Sequence, residues 1–194
     1  MAILHVKADK TMIKTKKEIR REVKQAVLAL SAAERESQSL QVCEQIKVLI
    51  AEHNPTTVAL FSPLPDEVDV TTLITSLGCR VVLPRVGDKA DGTPEMEFYD
   101  YAAQAMASGA YGIFEPQSGE PCRAEEIDLM IVPGVAFSSD GCRLGRGKGY
   151  YDRYLSRDGF RACCIGVCYD CQLREDIPAE PHDKRVEKVV VGKR

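Results

Sequence analysis

The strand-like apolar segment Leu129 to Val132 breaks at Pro133-Gly134, runs into a loop with glycine at 141, 145, 147 and 149, and enters the helical-looking Tyr150 to Leu155. Such a strand, loop and helix in succession is one unit of a layered α/β domain. Alternate glycines let backbone N–H groups converge on a ligand without side-chain obstruction. A helix starting just after them adds free N–H groups and the positive end of its dipole. Between Arg143 and Arg157 stand five basic residues (143, 146, 148, 153 and 157) and a single acid, Asp152. The stretch therefore reads as a polyphosphate site carrying its own candidate metal ligand; the alternative is a mobile surface loop whose arginines are merely solvated.

Two common phosphate motifs do not fit. A Walker A loop needs glycine five positions before the Gly-Lys pair and Ser or Thr after it, but Cys142 and Gly149 occupy those places. The dinucleotide pattern Gly-x-Gly-x-x-Gly fails because Tyr150 stands where the third glycine belongs.

The surrounding chain fits the same architecture. Ile19, Val23, Ala26, Val27 and Leu30 form a helical stripe between Lys14 and Leu30. Ser31 with Glu34 makes a capping box for a second helix reaching about Glu52, which Asn54-Pro55 ends. Strands are expected at Val58–Phe61, Cys79–Leu83, Ile127–Val132, Arg161–Val167 and Lys188–Val191, with a short helix at Val70–Leu77, a turn at Asp88–Thr93 and an edge strand at Met96–Tyr99. Residues 1–12 read as a loose tail, and 13–194 as one three-layer α/β domain with a mainly parallel open sheet flanked by helices. Ligands of such sheets gather beyond the carboxyl ends of the strands, which directs attention to the loops after Phe61, Leu83, Val132 and Val167.

Composition removes several classes of function. A net charge of −3 gives no whole-molecule attraction to nucleic acid or membrane, so the basic cluster is local. No apolar run approaches a membrane span and no signal-peptide core opens the chain, so a cytoplasmic location is expected. Four of the eight cysteines group as Cys163-Cys164 and Cys168-x-x-Cys171. Neighbours on a strand point to opposite faces, so reduced, buried thiols are the favoured reading over a metal site or a redox pair.

The run Pro-Gly-Val-Ala-Phe at 133–137, with Arg-Leu-Gly-Arg-Gly-Lys-Gly-Tyr-Tyr-Asp at 143–152, resembles the signature of the 5-formyltetrahydrofolate cyclo-ligase family. The resemblance extends to Lys16–Arg20, Pro65–Asp69, Leu83–Arg85, Gly112–Pro116, Ile165–Asp170 and His182-Asp183. It implies an enzyme using ATP and Mg2+ to convert 5-formyltetrahydrofolate to 5,10-methenyltetrahydrofolate. Arg143, Gly145, Arg146, Gly147, Lys148, Gly149 and Tyr150 would then hold the ATP phosphates, joined by Lys16 and Arg20 from one face of the first helix. Lys148, Arg146 and Tyr151 would act in catalysis, and Asp152 and Asp183 would hold magnesium. Glu67 would accept from the pterin, with Phe61 and Tyr151 flanking its ring and Tyr111 lining the cleft. Arg85 would either meet folate carboxylates or brace its loop.

The family's usual Lys-Val-Asp after His-Asp is Lys184-Arg185-Val186-Glu187 here, which keeps Glu187 out of the expected metal site. The expected partner is a small molecule, the expected state a monomer. A same-fold ATP-binding relative with another substrate is the alternative. A nucleic-acid module stacking bases on Tyr150, Tyr151 and Tyr154 is a third reading, opposed by the net charge.

Overall fold

The computed structural model describes residues 14–109 and 112–194. Its first two helices are α1 (Lys16–Ala29) and α2 (Ala32–His53). Each opens on a complete capping box, Thr15 with Glu18 and Ser31 with Glu34, and Asn54 closes α2 in the left-handed region at φ 44°. There follow β1 (Thr57–Ala59), α3 (Thr71–Ser76), β2 (Arg80–Asp88), β3 (Pro94–Asp100), β4 (Met106–Ser108), β5 (Phe114–Pro116), β6 (Leu129–Val132), β7 (Ala136–Phe137), β8 (Arg143–Leu144), α4 (Tyr150–Tyr154), β9 (Cys163–Tyr169) and β10 (Lys188–Gly192).

Six strands form the main sheet in the order β10-β9-β6-β1-β2-β3. All neighbours are parallel except β2 and β3, which pair antiparallel from Val82↔Asp100 to Asp88↔Pro94. The expected edge strand is therefore present, joined through the turn at 89–93.

Alternation along the strands builds two cores. Val58, Leu60, Val81, Leu83, Leu129, Ile131, Ile165 and Val167 face α1, α2 and α3, where Ile19, Val23, Val27, Val42, Ile46 and Leu73 meet them. Ala59, Val82, Met130, Val132, Cys164 and Cys168 face the opposite side. That second face carries α4, a single turn, with Tyr154 packed edge-on against Phe98 at 4.8 Å between ring centres. The three layers are thus unequal: three helices on one side, one turn and irregular chain on the other.

From β1 the chain passes first to β2 on one side and later to β6 on the other. The loops leaving β1 and β6 therefore part between those two strands, the switch point where open α/β sheets take ligands.

All eight cysteines are unpaired. Burial pushes the thiols of Cys164 and Cys168 up to about 12, so neither is a thiolate near neutrality. No helix among the described residues is long and apolar enough to cross a membrane.

Candidate active site: two clefts on one glycine loop

The switch point opens into a cleft of about 290 Å³. The β1 loop supplies Phe61, Ser62, Leu64 and Glu67; the β6 loop supplies Pro133 and Gly134; β2 and β3 supply Pro84, Val86 and Met96. The far wall is Arg143, Gly145, Arg146 and residues 148–152. A second cleft, about 610 Å³, lies on the other side of that wall. It is bounded by Lys16, Arg20, Arg143, Lys148 and Arg153 together with Asp152, Glu180 and Asp183. Arg143, Gly145, Lys148, Gly149 and Asp152 line both spaces.

The wall is tied down. The short β7–β8 hairpin, registered as Phe137↔Arg143, launches the loop. Arg20 Nε donates to the Gly145 carbonyl at 2.8 Å, and Arg153 Nη2 to the Lys148 carbonyl at 2.7 Å. With those carbonyls held by protein cations, the N–H groups of residues 146–149 have no partner among the described residues. Gly147 and Gly149 take φ of 99° and 68°, which a side chain would strain. The loop is therefore a formed cradle and not a loose surface excursion. The expected helix dipole contributes little, because α4 spans only five residues. Cationic side chains and loop N–H groups carry the attraction instead.

In the larger cleft most charges are already paired. Lys16 Nζ donates to Asp183 and Glu180, and the buried Arg143 donates from Nη2 to Asp152 Oδ1 at 2.8 Å. Arg143 Nε is buried without a hydrogen-bond partner, and the exposed Lys148 ammonium makes no bond among the described residues. These unsatisfied donors and the free loop N–H groups suit a polyphosphate. Asp152 and Asp183 on the same cleft suit a magnesium ion, which takes one or two carboxylates plus phosphate oxygens. Ligand atoms of Glu180, His182 and Asp183 lie within 4.8 Å of one another. Glu180, which sequence reasoning passed over, belongs to this group.

In the smaller cleft, away from the shared wall, Glu67 is the acid among apolar side chains. Only 9% of the Glu67 side chain is exposed. Its carboxylate accepts from the Leu64 N–H at 3.0 Å and from Arg146 Nε at 3.0 Å. Burial pushes its carboxyl above the ordinary range, against the pull of those two donors. Tyr169, quoted within the 165–170 run but given no role there, donates its hydroxyl to the Glu67 carbonyl at 2.7 Å and fixes the loop. Tyr151 lines the cleft with Arg143 5.5 Å from its ring centre; burial raises its hydroxyl pKa, Glu67 adds to that, and Arg143 opposes it.

Of the expected phosphate-holding residues, Lys16, Arg20, Arg143, Gly145, Gly147, Lys148 and Gly149 share the larger cleft. Arg146 and Tyr150 do not; they line the smaller one, and Arg146 bridges Asp66 and Glu67. Of the two readings of Arg85, its contacts follow the bracing one. Successive residues of β2 point to opposite faces, so Pro84 and Val86 line the cleft while Arg85 stacks 3.9 Å over Tyr99 and donates to its hydroxyl. It braces the sheet. Tyr111 lies outside the described residues, as does the expected 1–12 tail. Glu187 accepts from the Cys164 N–H at 2.6 Å, a strand-end role away from the clefts. Tyr154 is 1% exposed, so it is not a stacking surface for bases.

The profile described as the 5-formyltetrahydrofolate cyclo-ligase family matches residues 12–192. A Saccharomyces cerevisiae protein named 5-formyltetrahydrofolate cyclo-ligase is 31% identical over 205 residues, covering 92% of this chain and 95% of its own. A Mus musculus protein of the same name is 29% identical, covering 93% and 95%. The solution structure of Aquifex aeolicus 5,10-methenyltetrahydrofolate synthetase matches with a TM-score of 0.78 and 36% identity, over 91% of this chain and 89% of that one.

Proposed function

The chain belongs to the 5-formyltetrahydrofolate cyclo-ligase family, and on that footing we propose that it closes 5-formyltetrahydrofolate to 5,10-methenyltetrahydrofolate at the expense of ATP. What supports this reading most is the shared wall: one glycine loop borders both a largely apolar cleft holding Glu67 and a cationic cleft. An apolar ring and a polyphosphate can meet across it.

The pterin lies in the smaller cleft, flanked by Phe61 and Tyr151, with its amide N–H and 2-amino group donating to Glu67. The ATP phosphates lie in the larger cleft against Lys16, Arg20, Arg143, Lys148 and the loop N–H groups. The formyl oxygen attacks the γ-phosphorus and ADP leaves. N10 then attacks the formyl carbon, loses its proton, and the phosphate departs with the former formyl oxygen. A formamide oxygen carries no proton, so the first step needs no base, only alignment and charge stabilisation.

Lys148, without a competing acid, is the cation best free to follow the transferring phosphoryl group. Asp152 and Asp183 would hold magnesium, which supplies charge neutralisation on the phosphates. Arg146 spans both halves: it lines the pterin cleft and stands on the loop that meets the phosphates.

The test is absorbance at the methenyl-folate band after mixing protein, 5-formyltetrahydrofolate, ATP and Mg2+. The proposal expects a rise that requires ATP, with one phosphate released per product. ATP binding without any rise would transfer the site to another small-molecule substrate.

A further inference from the structure

Lys16 stands where a divalent cation would be expected. Its Nζ lies 2.7 Å from Glu180 Oε2, 2.7 Å from Asp183 Oδ2 and 2.9 Å from Asp183 Oδ1. An ammonium has three N–H donors, and these three oxygens account for all of them. The contact joins the first turn of α1 to a loop 167 residues away. Lys16 and Asp183 side chains are each 19% exposed, so the pair is shielded beyond an ordinary surface bridge.

Asp183 is held in place independently of the lysine. Asp183 Oδ2 also accepts from the Glu180 N–H at 2.7 Å, which orients the carboxylate within its own loop. His182 brings Nε2 to 3.4 Å from Glu180 and 3.9 Å from Asp183. A converging donor set therefore already encloses a positive charge supplied by the chain itself.

The supporting helix is anchored by a backbone carbonyl, whereas Lys16 is held only by carboxylates that another cation could take. One turn further on, Arg20 is fixed by Nε to the Gly145 carbonyl. Lys16 sits on a flexible four-carbon stem and borders the same cleft as the unpartnered Lys148. An ammonium and a divalent ion cannot share the same carboxylate oxygens without strong repulsion. Phosphate oxygens in that cleft would offer the ammonium a substitute partner.

We propose that Lys16 is an internal counter-cation of the metal site. It keeps Asp183 and Glu180 closed to a lone divalent ion, and releases them when its ammonium moves onto nucleotide phosphates. Metal accordingly enters with the nucleotide and not ahead of it. The inference rests on the assignment of the larger cleft to a nucleotide.

If Lys16 occupies the acids about nine-tenths of the time, the apparent affinity for metal alone is reduced about tenfold. The experiment is titration of Mn2+ into the full chain without nucleotide, followed by the electron paramagnetic resonance signal of free Mn2+. Lys16→Met and Lys16→Gln are expected to bind Mn2+ roughly tenfold tighter than wild type. Lys17→Met, the exposed neighbour with the same change of charge, should match wild type. Adding Asp183→Asn to Lys16→Met should abolish the gain. With a non-hydrolysable ATP analogue, wild-type Mn2+ affinity should rise more than that of Lys16→Met. The proposal is overturned if both Lys16 variants bind Mn2+ alone no tighter than wild type, or if Lys17→Met gains equally. Analogue that binds while the Lys16 variants gain nothing removes the counter-cation role alone; no analogue binding removes the nucleotide assignment with it.

Discussion

The two clefts share five wall residues, yet one holds its ligand-facing groups by shape and the other by charge. In the smaller, Phe61, Pro84, Val86, Met96 and Pro133 are fixed by strands and prolines, and Glu67 is the acid seated among them. In the larger, Lys16 pairs with Asp183 and Arg143 with Asp152, and Lys148 is left free among the described residues. A preformed apolar slot discriminates by fit, whereas a cleft of paired charges exchanges partners when a polyanion arrives. Under the proposed function, the difference would let one loop serve a rigid ring on one side and a highly charged ligand on the other.

The sharpest way to break this contrast is to remove the free cation. Lys148→Ala should lower turnover by at least about 10³-fold while leaving thermal stability unchanged, because its side chain supports nothing in the fold. Turnover near wild type in a coupled phosphate assay would deny Lys148 its role.

On the apolar side, Glu67→Ala should weaken folate binding on the order of 10- to 100-fold with little change in nucleotide affinity, measured separately by calorimetry. Equal losses for both ligands would mean that the clefts are not distinct. Glu67 also predicts a pH dependence. Burial holds its carboxyl above the ordinary 4.5, so the folded state retains a proton that the unfolded chain releases. Stability then falls as pH rises from about 4.5 through the raised value. In urea titrations, the stability of wild type relative to Glu67→Gln should decline across that window and be flat below it; a rising difference would contradict the buried assignment.

A subtler variant separates position from charge. Tyr169→Phe removes the hydroxyl that holds the Glu67 carbonyl. It should cost about 1 kcal/mol of stability and raise the KM for folate a few-fold, with the KM for ATP untouched. Smallest at the site is Ser31→Ala, which breaks the α2 capping box. It should cost about 1 kcal/mol in unfolding and alter neither KM.

Local signals made much of the fold legible before any coordinates. Ser31 with Glu34, the Ile19–Val23–Val27 stripe and the short apolar runs each encode an element within a few residues of its own position. The β4–β5 and β7–β8 hairpins were not legible, because strands of two or three residues carry no period. At the site, the glycine loop and its cations declared themselves by composition. What stayed hidden were long-range pairings: Lys16 with Asp183, Arg146 with Asp66, and Tyr169 with the Glu67 carbonyl. No local pattern reports a partner many residues away. The choice between the two readings of Arg85 was hidden for a different reason, since the face it takes follows from the strand register and not from the motif that contains it.

The most direct test of the central claim, that the two clefts deliver a formyl oxygen to a γ-phosphate across one loop, is an isotope measurement. 5-Formyltetrahydrofolate carrying ¹⁸O in the formyl group would be turned over with unlabelled ATP, and the released phosphate analysed by mass spectrometry. The account predicts one ¹⁸O in each phosphate. Unlabelled phosphate, with the label in water, would show that ATP hydrolysis and ring closure are separate events and that the shared wall does not join them.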